Sequence, residues 1–250
     1  MTYTEKLNAR IAATGSHLCV GLDVRATQAD EATRDWLLRV IEETAPYAAA
    51  FKPNAAYFEA MGWRGVRLLE EIRASIPPEI PVVLDVKRGD IGETQAYYAT
   101  ACFEHLGADA VTLNPFMGRD TLEPFLKYPE KGLYLLAVTS NPGAADIETQ
   151  ALTDGRQVFQ IVTAMTEASP ETGLVVGLTN AAEVLPLIPD VPLLIPGLGA
   201  QGGDLAALAS SARQAPSLVN VSRGILYSDA PGSFAEKAAD WRDRIAASLG

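Results

Sequence analysis

The sequence predicts one α/β domain, a (β/α)8 TIM barrel that takes up the whole chain from residue 1 to residue 250. Eight short apolar runs, rich in Val, Ile and Leu and bounded by Gly, Pro, Asn or Asp, are typical of parallel strands buried on both faces. Amphipathic stretches separate these runs, and no linker or change in composition divides the chain. An open doubly wound sheet is the alternative, but eight evenly spaced strands favour the barrel.

The predicted strands follow one another along the whole chain, and most end in a polar or glycine-containing segment. In order they are HLCVGLD (17–23), AAAFKPN (48–54), PVVLDVK (81–87), ADAVTLNP (108–115), LYLLAVTS (133–140), TGLVVGLT (172–179), VPLLIPG (191–197) and SLVNVSRG (217–224). Between them, apolar residues recur at helical spacing with charged residues on the opposite face. This periodicity predicts helices over 32–47, 64–76, 92–107, 154–169 and 203–214.

Charge and composition exclude several classes of protein. With 20 Lys and Arg against 31 Asp and Glu, the net charge of −11 argues against nucleic-acid binding, which relies on excess basic residues. No apolar run reaches about 18 residues and the N-terminal segment lacks the layout of a signal peptide, so we expect a cytoplasmic protein with no membrane partner. Two cysteines and two histidines are too few for a disulfide framework or a His/Cys metal site.

Polar side chains recur where the predicted strands end. In a barrel, the carboxyl ends of all strands meet at one mouth, which is where the active site lies. Charged residues inside Val/Ile/Leu runs are costly to bury unless they are paired, so such residues are either compensated or functional. The pattern therefore predicts an enzyme whose site includes Asp23, Lys52, Asn54, Asp85, Lys87, Asn114 and Ser140, with Gln201 and Arg223 from the last two loops.

The densest group of charges lies in VVLDVKRGDIGET, residues 82–94. Asp85 and Lys87 are two residues apart on a strand and should point into the same space. Lys52 ends the preceding strand, and Asp90 follows where the strand has ended. These four groups alternate in sign, so each lysine should be held charged between carboxylates. A buried ion-pair network without chemistry is the alternative, but four alternating charges on adjacent strand ends favour a functional site.

Such a set of charges suits the loss of an anionic group followed by protonation. The Lys87 ammonium can donate a proton to carbon and stabilise a carbanion. A substrate carboxylate held about 4 Å from Asp85 would be repelled by about 4 kcal/mol at an effective dielectric near 20, and departure of CO₂ would relieve that repulsion. Decarboxylation is therefore the reaction that the segment predicts.

The same segment resembles the Asp-x-Lys-x-x-Asp-Ile-x-x-Thr signature of the orotidine 5′-phosphate decarboxylase family. Five further segments match in order: CVGLD (19–23), FKPN (51–54), AVTSN (137–141), PGLGAQGGD (196–204) and SRGI (222–225). FKPNAAYFE and LNPFMGRDTLEPFL are similar to the longer bacterial subgroup. Gln95 departs from the pattern, since the family more often has a smaller or apolar residue after the threonine.

The resemblance implies a barrel that converts orotidine 5′-monophosphate to UMP and CO₂, the last step of de novo pyrimidine nucleotide synthesis, without a cofactor or metal. It implies a homodimer in which Asp90, Ile91 and Thr94 reach the partner's site. It also assigns the ribose to Asp23 and the pyrimidine to Ser140. The phosphate would be bound by Pro196, Gln201, Gly202, Arg223 and Gly224. Loops after the last two strands of barrels commonly bind phosphate, which supports this placement independently.

Two other functions remain open from the sequence. A Mg²⁺-dependent phosphosugar decarboxylase or aldolase of the same superfamily shares Asp-x-Lys-x-x-Asp, but lacks the equivalents of Gln201 and Ser140. A non-catalytic sensor of phosphorylated ligands would explain Arg223 and the glycine-rich loop at 197–203, but not the four alternating charges.

Overall fold

The structure is a computed structural model that describes residues 1–197, 205–211 and 213–249. All eight predicted strands are present and parallel. In chain order they are β1 (Leu18–Gly21), β2 (Ala50–Lys52), β3 (Val83–Arg88), β4 (Ala110–Leu113), β5 (Gly132–Val138), β6 (Thr172–Val176), β7 (Leu193–Ile195) and β8 (Ser217–Val221).

The strands form a nearly closed barrel. The hydrogen-bonded order is β2-β1-β8-β7-β6-β5-β4-β3, so the first strand lies between the second and the last. Two isolated parallel bridges, Phe51 to Val82 and Asn54 to Asp85, connect β2 with β3 and complete the ring. The barrel prediction is therefore confirmed, and the open doubly wound sheet is wrong.

Helices lie between the strands along the chain. They are α1 (Tyr3–Thr14), α2 (Glu31–Thr44), α3 (Ala55–Glu59), α4 (Trp63–Ser75), α5 (Gly92–Thr100), α6 (Glu123–Leu126), α7 (Ala144–Ile147), α8 (Val158–Ala164), α9 (Ala181–Val184), α10 (Ala206–Ser210), α11 (Arg223–Leu226) and α12 (Phe234–Leu249). A π-helical turn extends α5 over Ala101–His105. Short 3₁₀ turns occupy Pro115–Met117, Arg119–Leu122, Met165–Ala168, Leu178–Asn180 and Leu185–Leu187.

The predicted helical ranges are found with shifted ends. The prediction over 154–169 begins too early, because a turn at Gly155, with φ +85°, precedes α8. The prediction over 203–214 corresponds to α10, and residues 203, 204 and 212 lie outside the described residues. No described helix is long and apolar enough to cross a membrane.

Helix α1 covers the amino-terminal end of the barrel. Its Tyr3 is buried and hydrogen-bonds through its hydroxyl to that of Tyr134 on β5, at 2.8 Å. Lys6 pairs with Asp109, which directly precedes β4, at 2.9 Å. With this end covered by α1, the carboxyl end of the strands is the end where a ligand can enter.

Candidate active site

Three polar side chains form one layer inside the barrel. Ala50, Val83 and Ala110 belong to the apolar cluster that fills the lower part of the barrel around Tyr134. Residues two positions further along a strand face the same side. This alternation places Lys52, Asp85 and Thr112 together above the apolar cluster, and all three are buried.

Asp85 joins the two predicted lysines. Lys52 Nζ lies 2.6 Å from Asp85 Oδ2, and Lys87 Nζ lies 2.5 Å from Asp85 Oδ1. The side chains of Lys52 and Asp85 are 5% and 8% exposed, whereas that of Lys87 is 48% exposed. Asn54 Nδ2 also donates to Asp85 Oδ2, at 3.4 Å. One ammonium is therefore buried in the wall of the barrel, and the other is presented towards solvent at the mouth.

The charges stabilise one another. Burial by itself raises the pKa of Asp85, but Lys52 and Lys87 lower it by more, so the pKa of this carboxyl lies well below its usual range. Burial lowers the pKa of the Lys52 ammonium, but the charges of Asp85 and Asp23 raise it above its ordinary value. Asp85 and Lys52 are therefore both ionised at neutral pH, and Asp23 lies within electrostatic reach of Lys52.

Thr112 is a member of this site that the sequence reasoning missed. Its hydroxyl donates to Asp85 Oδ1 at 2.9 Å and accepts from the backbone N–H groups of Val86 and Lys87, both at 3.0 Å. In the sequence, Thr112 is one hydroxyl residue inside an apolar strand and carries no local signal of this contact.

Asp90 lies outside the network that the sequence predicted it would join. Its Oδ1 accepts a hydrogen bond from the N–H of Ile91 at 2.8 Å, and the structure records no contact between Asp90 and Lys52 or Lys87 among the described residues. Ile91 is 61% exposed, and Thr94 on α5 is also exposed. Among the described residues of one chain, Asp85 is therefore the carboxylate that bridges the two lysines.

The predicted ribose residue has a free acceptor. Asp23 follows β1, and its Oδ1 is buried without a hydrogen-bond partner among the described residues. Such an oxygen is costly to leave unpaired and suits a ligand hydroxyl. Tyr227, which sequence reasoning also missed, donates to the carbonyl of Asp23 at 3.1 Å and accepts from the N–H of Arg25 at 2.7 Å. Tyr227 thereby ties the loop after β1 to the end of α11.

The remaining predicted residues lie at the same end of the barrel where the structure describes them. Ser140 follows β5, and the backbone of Gly177 approaches it so closely that a Cβ there would lie 2.7 Å from Ser140 N. Pro196 follows β7, and Arg223 is exposed at the first position of α11 after β8. Gln201 and Gly202 lie outside the described residues.

Gly224 has a packing reason as well as a predicted binding role. A Cβ at this position would lie 2.8 Å from Nε1 of Trp241 on α12, so the indole packs directly against the backbone of α11. Trp241 therefore supports the helix that begins with Arg223.

The site offers an acid, a fixed negative charge and a place for a ligand, but its carboxylate has little capacity left for a metal. Both oxygens of Asp85 already accept two hydrogen bonds each. Within residues 1–197, 205–211 and 213–249, no group of three or more His, Cys, Asp or Glu could hold a metal ion. An apolar cavity of about 560 Å³ lies beside the mouth and is lined by Phe116, Ile147 and Ile161 rather than by the network of Lys52, Asp85 and Lys87.

The chain is similar to known proteins along nearly its whole length. The model of the orotidine 5′-phosphate decarboxylase / HUMPS family matches residues 16–238. An orotidine 5′-phosphate decarboxylase of Herpetosiphon aurantiacus is 41% identical over 251 residues, covering 94% of this chain and 93% of that protein. One from Paracidovorax citrulli is 44% identical over 259 residues, covering 95% of this chain and 94% of that protein.

A solved structure gives the same result in three dimensions. The structure of Leishmania donovani OMP decarboxylase matches with a TM-score of 0.89 at 38% sequence identity. The match covers 100% of this chain and 99% of that one.

Proposed function

Because this chain belongs to the orotidine 5′-phosphate decarboxylase / HUMPS family, we propose that it decarboxylates orotidine 5′-monophosphate to UMP and CO₂ without a cofactor, as the last step of pyrimidine nucleotide synthesis. The observation that carries this proposal is the Lys52–Asp85–Lys87 network at the barrel mouth, where Asp85 bridges the two ammonium groups. Such a network suits a substrate whose anionic carboxylate leaves as neutral CO₂ and whose ring carbon then accepts a proton.

The ligand would span the mouth from the phosphate end to the charged network. Arg223, at the exposed start of α11, would bind the phosphate with Gly224, and the resemblance adds Pro196, Gln201 and Gly202. The unpaired Asp23 Oδ1 would accept a ribose hydroxyl, and Ser140 would face the pyrimidine. This orientation directs the substrate carboxylate towards Asp85 and Lys87.

The chemistry then needs one bond broken and one formed. The bond between the pyrimidine ring and the carboxylate breaks, CO₂ leaves, and the electron pair stays on the ring carbon. The Lys87 ammonium stabilises that carbanion and gives it a proton, which forms the new C–H bond. Lys87 is left neutral and, being 48% exposed, can regain a proton from water after UMP leaves.

Asp85 contributes by its fixed charge. Its two lysine partners keep Asp85 ionised, so its charge repels the substrate carboxylate. That repulsion ends when the carboxylate leaves as neutral CO₂. Lys52 holds Asp85 in place from inside the barrel wall, at 2.6 Å. Both residues would therefore act on the reacting groups without transferring a proton.

We place the enzyme in the cytoplasm as a single-domain homodimer with shared sites. The segment after β3 and the segment after β4 leave the barrel side by side, since Arg88 pairs with Leu113. Both carry exposed apolar side chains, Ile91 on the first and Phe116 and Met117 on the second. A second copy covering this surface would bury them and could receive Asp90, Ile91 and Thr94 in its own site.

The decisive experiment follows the ultraviolet absorbance lost as orotidine 5′-monophosphate becomes UMP, with purified protein dialysed against EDTA. We expect full turnover in EDTA, because the Asp85 oxygens are already hydrogen-bonded. The alternative, a Mg²⁺-dependent phosphosugar decarboxylase or aldolase, predicts no turnover of this substrate, and activity on a phosphosugar that returns only when Mg²⁺ is added.

A further inference from the structure

Strand β3 is irregular where it carries the charged residues. Leu84 pairs with Val111, and the next pair in the ladder joins Arg88 to Leu113. Three residues of β3, from 85 to 87, therefore lie opposite the single residue Thr112 of β4. Such bulges re-aim side chains and leave backbone groups without their ladder partners.

The bulge places Lys87 in an uncommon backbone conformation. Its φ is +46°, the only positive value among the described non-glycine residues. The left-handed region is disfavoured for residues with a Cβ and persists only where the surroundings hold it. The position of the Lys87 ammonium, 2.5 Å from Asp85, depends on this backbone.

The Thr112 side chain accepts the backbone hydrogen bonds for which the interrupted strand pairing provides no acceptor. A hydroxyl has one donor and two acceptor sites. Thr112 Oγ1 accepts from the N–H groups of Val86 and Lys87 and donates to Asp85 Oδ1, so all three are used. Asp85 Oδ1 is also the oxygen that binds Lys87 Nζ. The buried hydroxyl of Thr112 thus contacts both the backbone of Lys87, the proposed proton donor, and the Asp85 carboxylate that binds the Lys87 ammonium.

We propose that Thr112 is a positioning residue that holds Lys87 and Asp85 in the geometry of proton transfer. This inference rests on the proposed decarboxylation. Without the hydroxyl, the N–H groups of Val86 and Lys87 lose their acceptor at the half-buried edge of the site, and the bulge can relax. If the Lys87 ammonium moves by about an ångström, the residues that bind the substrate stay in place. We therefore expect kcat to fall more than substrate binding weakens.

The main test is Thr112→Val, which keeps the shape of the side chain and removes the hydroxyl. We expect kcat for orotidine 5′-monophosphate to fall at least about tenfold while KM and the Kd of UMP change less than about threefold. Thr112→Ser keeps the hydroxyl and should retain kcat within about threefold of the wild type. Thr172→Val is the matched control, because Thr172 is equally buried but its Oγ1 has no partner among the described residues.

A kcat within threefold of the wild type in Thr112→Val would overturn the proposal. So would a serine variant as slow as the valine variant, since the lost methyl would then be the cause. If the valine variant does not fold, Thr112→Ser and Thr112→Cys provide the same comparison. Their side chains have nearly equal volume, but the cysteine sulfur is only a weak hydrogen-bond donor and acceptor. We then expect the cysteine variant to be the slower of the two, and equal rates would refute the role.

Crystal structures of the variants separate this inference from the proposed function. In Thr112→Val we expect Lys87 to leave the left-handed region and its Nζ to move away from Asp85, whereas Thr112→Ser should keep both. A wild-type protein inactive on orotidine 5′-monophosphate would refute the proposed function alone. An unchanged Lys87 in the valine variant would refute the positioning role alone.

Discussion

Replacing Asp85 by Asn should destabilise the protein strongly, because it leaves the buried Lys52 ammonium without its counter-charge. Lys52 Nζ is 2.6 Å from Asp85 Oδ2, and its side chain is 5% exposed. An amide also has one oxygen instead of two, so a lysine or the Thr112 hydroxyl would face an N–H group. Breaking a buried pair in this way costs about 3–5 kcal/mol.

The loss should be visible in unfolding experiments. At about 2–4 °C per kcal/mol for a chain of this size, Tm should fall by about 6–20 °C. Urea unfolding followed by circular dichroism gives the free energy of unfolding, and calorimetry gives Tm. The matched control is Asp154→Asn, which breaks a surface pair with Arg156 at 2.7 Å whose side chains are half exposed. Exposed pairs contribute about 0–1 kcal/mol, so this variant should unfold almost as the wild type does.

A second variant separates lost charge pairing from lost packing. Lys52→Met combined with Asp85→Asn removes both buried charges, so no unpaired ammonium is left at position 52 in the barrel. The double variant should therefore be more stable than Asp85→Asn alone. An Asp85→Asn protein within about 1 kcal/mol of the wild type, or a double variant no more stable than the single one, would refute the reasoning.

The other predictions concern turnover. Lys87→Ala should lose about 4 kcal/mol of transition-state stabilisation, roughly a thousandfold in kcat, while still binding UMP in calorimetry; a tenth of wild-type turnover would exclude Lys87 as the proton donor. Arg223→Ala should lose several kcal/mol of transition-state stabilisation, measured from kcat/KM, because binding of the remote phosphate lowers the chemical barrier. For the same reason, phosphite should raise the turnover of the phosphate-free nucleoside by the wild-type protein. Wild-type kinetics in the variant would mean that the phosphate binds elsewhere. Mixed Lys87→Ala and Asp90→Ala subunits should recover about a quarter of wild-type activity, since half of the dimers are mixed and each holds one intact site; no recovery after confirmed subunit exchange would mean that Asp90 acts within its own chain.

The barrel, and the strand ends that form the candidate site, could be predicted from local sequence alone. Strands buried on both faces consist almost entirely of apolar residues, so the charges at Lys52 and Asp85 stand out. The sequence also indicates that Asp85 and Lys87 point into the same space. Their side chains are 2.5 Å apart in the structure, although a bulge over 85–87 rather than regular alternation brings them together. These inferences succeed because each depends on residues close together in the chain.

Local reasoning does not reach contacts whose partner lies on another element or another subunit. Within one chain Asp90 accepts from the N–H of Ile91 and lies outside the network, so its place beside a lysine of the partner's site stays a prediction. Helix α1 was not predicted either, although Tyr3 and Leu7 are fully buried against the lower end of the barrel. Its contacts with Tyr134 and Asp109 join residues more than a hundred positions apart.

The sequence by itself therefore determined the class of fold, the strand ends that carry charge, and a chemistry of an ammonium beside a carboxylate. Only the tertiary structure decided that Thr112 holds that pair and that Tyr227 holds the loop of Asp23. The physical reason is register. In the sequence, Thr112 is one hydroxyl in an apolar strand and Tyr227 is one tyrosine after a short helix. Strand pairing brings the N–H of Val86 to 3.0 Å from the Thr112 hydroxyl, and loop packing brings the N–H of Arg25 to 2.7 Å from that of Tyr227.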